Sequence, residues 1–236
     1  MVQRKPWGSR MEDFRCKALI ADDDEYFRIA IKSILIGRLG LSEVIETASF
    51  DEALERMDEE SDGLGIGLFD LSMPGMGSAA NLRAVRELFP HVRVAVVSAS
   101  RRRTDILMAL EAGVHGYMPK TMGVEELARA IRSIMDGVIY VPALLAELPP
   151  DDGASRFAPS ATALPHLTPR QRDVLTLLVE GRSNKEIARS LDLGEGTVKI
   201  HLAALFRNLG VANRAAAAVL GSRILGRLPG SAESSE

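Results

Sequence analysis

Six residues within the first 120 positions carry groups suited to phosphate chemistry. Asp22, Asp23 and Asp24 follow one apolar run, Asp70 ends another, Ser98 a third and Lys120 a fourth. Clustered carboxylates repel one another, so a bound divalent cation with oxygen ligands, Mg2+ first among them, is the natural compensation. A carboxylate nucleophile, a metal, a hydroxyl and a lysine supply attack, charge neutralisation and donors for equatorial oxygens. Phosphoryl transfer to an aspartate needs that set. Singly, each residue has an ordinary use: an Asp after a strand caps a helix, Ser98 makes a turn, Lys120 is solvated and Tyr117 packs. Their joint occurrence at the ends of successive runs selects the chemical reading.

Whether these groups meet depends on the elements that carry them. The runs CKALIA (16–21), SEVIETA (42–48), GIGLFD (65–70), VRVAVVSA (92–99) and HGYMPK (115–120) alternate with amphipathic stretches. Five strands, each followed by a helix, predict an α/β doubly wound parallel five-stranded sheet with both faces covered. Ligands bind such sheets beyond the carboxyl ends of the strands, where the strand order reverses. In the order 2-1-3-4-5 the first and third strands are neighbours, which brings Asp22, Asp23, Asp24 and Asp70 together. Ser98 and Lys120 then lie on the same rim.

Beyond this domain the pattern changes. Residues 141–166 are rich in Pro, Ala, Ser and Asp without a sustained period, which predicts a linker. The following segment reads as helices only. Thr168-Pro169-Arg170-Gln171 and Ser183-Asn184-Lys185-Glu186 are capping boxes, and Gly210 suits a left-handed helix end. The expected division is an N-terminal extension (1–15), an α/β domain (16–140), a linker (141–166), a smaller all-α domain (167–226) and a disordered tail (227–236).

Composition narrows the setting. The 236 residues are 46% hydrophobic and 26% charged, as in an ordinary globular protein. Cys16 is the single cysteine, which excludes an intrachain disulfide and a thiolate metal cluster and points to a cytoplasmic protein. Cys16 is expected to pack at the start of the first strand. No apolar run approaches a membrane span, so no membrane partner is expected. The net charge of −3 conceals an asymmetry: residues 1–164 hold 19 Lys/Arg against 25 Asp/Glu, residues 165–236 hold 10 against 7. An acidic module joined to a basic one suggests nucleic acid as the partner of the second.

The motifs ALIADDDEYFR, LFDLSMPGM, VVSAS and GYMPK give residues 17–137 a strong resemblance to the flavodoxin-like receiver domain of two-component response regulators. The resemblance implies Asp70 as phosphoacceptor, Asp22, Asp23 and Asp70 as Mg2+ ligands, and the Ser72 backbone carbonyl as a further ligand. It implies Ser98 as the hydroxyl that turns toward the phosphoryl group, Lys120 as its counter-ion and Tyr117 as an aromatic switch. Asp24 stays outside the core site. Two departures stand out: Gly77-Ser78 where the family usually continues Asp-Gly, and the basic run Arg101-Arg102-Arg103, which is either a solvated helix start or a partner-contacting patch.

The stretch from Leu167 to Val211 resembles a LuxR-type helix-turn-helix, and receiver plus this module is the NarL/FixJ arrangement. Val198, Leu202, Leu205 and Leu209 form the inner face of its second helix, leaving Lys199, Ile200, Ala203 and Arg207 outward. Such a helix suits the DNA major groove. Lys199 is expected to make the main polar base contact, with Ile200 and Ala203 limited to thymine methyls. Phosphate anchoring is expected from Lys185, Thr197, His201, Arg207 and the helix N-termini. Gly194 stands where a serine cap is usual, and Asn208 where lysine is common.

The implied protein is a transcriptional regulator phosphorylated on Asp70 by a histidine kinase with Mg2+. It binds double-stranded promoter DNA at a two-fold site as a homodimer, meets RNA polymerase, and has no enzymatic activity beyond its own phosphorylation and dephosphorylation. A phosphorylation-independent, constitutively dimeric factor of the same architecture is the alternative. An acyl-lactone-sensing LuxR protein has no reason to place Asp23, Asp70, Ser98 and Lys120 in this order. Asp22-Asp23-Asp24 also resembles the nucleophile motif of haloacid-dehalogenase-type phosphatases. That reading lacks the downstream acidic pair, since only Glu125, Glu126 and Asp136 follow, on an amphipathic helix.

Overall fold

The computed structural model describes residues 16–60, 63–148 and 167–226. The expected N-terminal extension and tail, and the linker from 149 on, lie outside the described residues. Five strands, β1 (Lys17–Ala21), β2 (Glu43–Thr47), β3 (Leu64–Phe69), β4 (Arg93–Ser98) and β5 (Gly116–Pro119), form one parallel sheet in the order β2-β1-β3-β4-β5. Helices α1 (Glu25–Gly37), α2 (Phe50–Glu59), α3 (Ala79–Leu88), α4 (Arg103–Glu111) and α5 (Val124–Met135) connect and cover it.

Side-chain alternation along the strands divides the core. Leu19, Ala21, Val94 and Val96 face one apolar layer under α2, α3 and α4, whereas Ala18, Ile20, Ala95 and Val97 face the other under α1 and α5. Burial on both faces is why the strands read as short continuous apolar runs. Register sets the rim. Ala21 pairs with Phe69, and the Asp70 N–H donates to the Ala21 carbonyl at 2.8 Å. Ser98 pairs with Pro119, and the Lys120 N–H donates to the Ser98 carbonyl at 2.8 Å.

The expected linker is partly structured. Leu144–Glu147 forms a short helix, α6, whose Leu144 and Leu145, with Leu148, pack on the α2–α3–α4 core layer. Arg103 holds it there, donating to the carbonyls of Leu145 (2.7 Å) and Leu148 (3.3 Å). The third arginine of the basic run is thus an anchor for the chain leaving the sheet domain. The Pro- and Ala-rich composition hid this because one helical turn is too short to display a period.

The second domain comprises α7 (Pro169–Val179), α8 (Asn184–Leu191), α9 (Glu195–Leu209) and α10 (Arg214–Ile224). Both capping boxes form, at Thr168/Gln171 and Ser183/Glu186, and Gly210 ends α9 at φ +65. Val198, Leu202, Leu205 and Leu209 fill its small core with residues of α7, α8 and α10. The opposite face of α9 is not open. Ile200 and Ala204 belong to the core layer of the sheet domain, because α9 lies against α2 and α3.

Candidate phosphoacceptor site and nucleic-acid interface

The carboxyl ends of β1 and β3 bring Asp22, Asp23 and Asp70 together, with one ligand oxygen from each all within 4.8 Å of one another. Asp22 and Asp70 are buried and Asp23 is exposed. The Lys120 Nζ, delivered by β5, stands 2.7 Å from Asp22 Oδ2 and 3.3 Å from Asp70 Oδ2. Burial pushes the Asp22 pKa up, the Asp70 charge adds to this, and Lys120 with the Asp24 N–H only partly opposes it. Burial alone would lower the Lys120 pKa, but the two carboxylates outweigh it and raise it. One ammonium is therefore shared between two buried carboxylates, and Asp70 Oδ1 is buried without a hydrogen-bond partner. An orphaned carboxylate oxygen beside two further oxygen donors suits a hard divalent cation. The residues fit Mg2+. Asp24 stands apart as the α1 N-cap, accepting from the Phe27 N–H at 3.1 Å. Ser72 is exposed in the bend two residues after Asp70.

The opposite side of the rim is tied to the loop after β4. Ser98 is fully buried and its Oγ accepts from the Ser100 N–H at 3.2 Å. The Tyr117 hydroxyl donates to the Ser100 carbonyl at 2.8 Å, and the Ser100 hydroxyl to Asp105 Oδ2 at 2.6 Å. Burial pushes the Tyr117 pKa up to about 12, so it stays a donor. Sequence reasoning missed Ser100 and Asp105, neither of which carries a spacing signal, and also Phe27 and Arg28. The Phe27 ring lies 4.6 Å below Lys120 Nζ, and Arg28 donates to the Asp22 carbonyl at 2.6 Å.

In the helical domain Lys185 and Lys199 are exposed, whereas Thr197, Ile200 and His201 are buried and Ala203 and Arg207 are half-buried. The expected outward face of α9 is thus largely covered. The periodicity of α9 gave the correct two faces; it carried no information about a second domain covering one of them. His201 Nε2 approaches Asp51 Oδ1 to 3.2 Å without the alignment of a hydrogen bond. Arg170 Nε donates to Asp51 Oδ2 at 3.1 Å, and Arg207 pairs with Glu87. Burial works against the Asp51 charge, but His201 and Arg170 outweigh it and hold its pKa below the usual carboxylate value.

Two of the departures from the family pattern, Gly77-Ser78 and Asn208, lie in this contact. Ser78 Oγ meets Asn208 Oδ1 at 3.5 Å, and Asn208 Nδ2 donates to Gln171 Oε1 at 3.1 Å. Gln171 Nε2 donates to Asn81 Oδ1 at 2.9 Å, with both residues fully buried. Asn81 Nδ2 in turn donates to the carbonyls of Gly75 (3.0 Å) and Met76 (2.7 Å), in the loop that follows Asp70. A Cβ at Gly77 would overlap the Thr168 methyl, so the glycine admits the start of α7.

Comparison with known proteins gives two matches in chain order. The family described as "Response regulator receiver domain" matches residues 18–132, and "Bacterial regulatory proteins, luxR family" matches residues 165–220. The glycerol metabolism activator of Pseudomonas putida is 36% identical over 202 residues, covering 84% of this chain and 91% of that protein. The nitrate/nitrite response regulator protein NarL of Escherichia coli (strain K12) is 34% identical over 204 residues, covering 85% and 92%. Among solved structures, a LuxR-family two-component response regulator from Aurantimonas sp. SI85-9A1 aligns with TM-score 0.51 and 27% identity, covering 56% of this chain and 92% of that one. RcsB from Salmonella enterica serovar Typhimurium, bound to promoter P1flhDC with the phosphomimetic BeF3-, shares the fold at TM-score 0.51 and 21% identity, covering 89% and 99%. With both domains matched in order and full-length relatives above 30% identity, this chain belongs to the NarL/FixJ family of DNA-binding two-component response regulators.

Proposed function

We propose that Asp70 is the phosphoacceptor of this regulator, loaded by a partner histidine kinase, with Mg2+ held by Asp22, Asp23, Asp70 and the Ser72 backbone carbonyl. The observation that carries the reading is Asp70 Oδ1, buried and without a partner beside Asp22, Asp23 and Lys120. Bound Mg2+ supplies charge neutralisation for the transferring phosphoryl oxygens. Lys120 is placed to hold one of those oxygens and Ser98 to donate to another. Turning the Ser98 hydroxyl toward the phosphoryl group displaces the oxygen that accepts from the Ser100 N–H, and Ser100 carries the Tyr117 hydroxyl on its carbonyl. Movement at Ser98 thereby reaches Tyr117 through one residue, a local event that biases a two-state element. No enzymatic activity beyond the chain's own phosphorylation and dephosphorylation is assigned.

The output is release of the DNA-binding domain (167–226) from the receiver (16–140), followed by dimerisation and binding at a two-fold promoter site. Burial of Thr197, Ile200 and His201 supports regulated release over a permanently open binder. Once free, Lys199 reads a base edge with Ile200 and Ala203 beside it, and Lys185, Thr197, His201 and Arg207 meet phosphates. RNA polymerase is the downstream partner and the cytoplasm the site of action; no described helix is long and apolar enough to cross a membrane. A gel-shift titration with Mg2+ and beryllofluoride tests the reading. DNA affinity and dimer fraction are expected to rise for the wild-type chain and to stay unchanged for Asp70→Asn. If neither quantity moves in the wild type, phospho-activation is wrong and the constitutively dimeric alternative takes its place.

A further inference from the structure

We infer that the α2–α3 face of the receiver acts as an internal substitute for DNA phosphates, its carboxylates occupying the groups of α9 that the nucleic acid would otherwise hold. This rests on the DNA-contact reading above and adds to it what the receiver offers in place of DNA. Of the groups expected to meet phosphates, His201 faces Asp51 at 3.2 Å, and Arg207 pairs with Glu87. The N-terminus of α9 is the third. Gly194 caps it with no side-chain hydrogen bond, and the Asp58 carboxylate lies so close to Gly196 that any Cβ there would overlap it. An uncapped helix N-terminus favours anions, and beside Glu195 of its own first turn α9 has the Asp58 carboxylate of α2 packed against it.

Steric covering alone has no need of charge. An apolar patch around Ile200 and Ala204 would mask α9 by itself. Three carboxylates from two receiver helices, two facing His201 and Arg207 and the third packed against the N-terminal turn of the same helix, form the pattern of a phosphate backbone. The absent side chain at Gly196 fits it, since it leaves room for Asp58. Asp192 and Glu195 of the helical domain are like charges beside them, Glu195 in the first turn of α9 and Asp192 in a crevice of about 300 Å³ lined also by Glu55, Asp58 and Glu59.

Because the same groups serve the closed state and the DNA-bound state, removing one has opposed effects in the intact chain. Arg207→Ala loses a phosphate contact and also weakens the closed state. A double-mutant cycle on the full chain, without phosphodonor, separates the two. Asp51→Asn/Asp58→Asn/Glu87→Gln is expected to bind DNA roughly tenfold tighter than the wild type, as the sum of three partly exposed charge contacts. In that background Arg207→Ala should lower affinity severalfold and reduce the salt slope by about 1; in the wild-type background it should change affinity less than half as much on a logarithmic scale. Equal losses in both backgrounds, or a triple variant no tighter than wild type, overturn the substitution of carboxylates for phosphates. Those outcomes leave DNA binding itself intact, whereas failure of every variant to bind DNA, with beryllofluoride or without, overturns the DNA-contact reading as well. Should the triple variant fail to fold by thermal melting, Glu87→Gln alone carries the same cycle with Arg207→Ala.

Discussion

Asn81→Ala is the sharpest probe of how the receiver holds the second domain. The Asn81 amide accepts from Gln171 Nε2 at 2.9 Å across the domain contact and donates to the Gly75 and Met76 carbonyls within the receiver. The substitution strands Gln171 Nε2 only while the domains are closed, because separation returns that amide to water. A buried donor left without its partner costs about 1–3 kcal/mol. The closed state should therefore lose about 1–2 kcal/mol relative to the open one, roughly a 5- to 30-fold shift in the closure equilibrium. The two intra-receiver bonds are lost in both states, so they lower overall stability without moving the equilibrium. Gln171 is the poorer target, since its side chain also accepts from the Thr168 N–H in the α7 capping box. The assay pairs DNA affinity without phosphodonor with small-angle scattering, which reads domain separation. The reasoning is refuted if the melting temperature falls while affinity and scattering profile stay at wild-type values.

Three further outcomes follow from the geometry. Asp70→Asn removes one of two buried carboxylates sharing Lys120, so without Mg2+ it should raise stability by about 1 kcal/mol, and added Mg2+ should raise the melting temperature of the wild type only. His115 is nearly buried, and burial with the Arg86 and Arg93 charges lowers its pKa to about 4. Between its unfolded value near 6.5 and about 4 the unfolded chain binds a proton that the folded chain does not. Stability attributable to His115 is thus present above pH 6.5 and lost as pH falls toward 4, by about 3 kcal/mol in all. Urea midpoints for the wild type and His115→Gln should diverge across that window, and parallel curves would count against the assignment. Gly77→Ala places a side chain at φ +56 and against Thr168, so it should cost about 1–2 kcal/mol and favour the open state. Limited proteolysis between the domains measures this, and protection equal to wild type would contradict it.

The strand runs, the capping boxes and the chemistry of the rim were legible because each depends on local order. An apolar run ending in Asp or Ser places that residue at the strand's end or one step past it, and parallel pairing of β1 with β3 then joins Asp22 to Asp70. Asp24 was likewise separable from the core site, as the cap it proves to be. Gly77-Ser78 and Asn208 were visible as departures, yet their purpose was not, since Ser78 and Asn208 are 130 positions apart in sequence and meet only across two domains. Ser100 and Asp105 escaped notice because a serine and an aspartate near a helix start look like any turn.

The sequence by itself determined the order of elements, the two faces of α9 and the gathering of carboxylates, hydroxyl and lysine on one rim, because hydrophobic period and strand ends are written locally. Only the tertiary structure decided that the outward face of α9 is turned against α2 and α3. Packing Ile200 and Ala204 into the receiver core, with Asp51 and Glu87 facing His201 and Arg207 and Asp58 packed against Gly196, joins residues that no periodicity relates. The charge asymmetry that pointed to nucleic acid also appears across the domain contact, in the pairs Arg170–Asp51 and Arg207–Glu87.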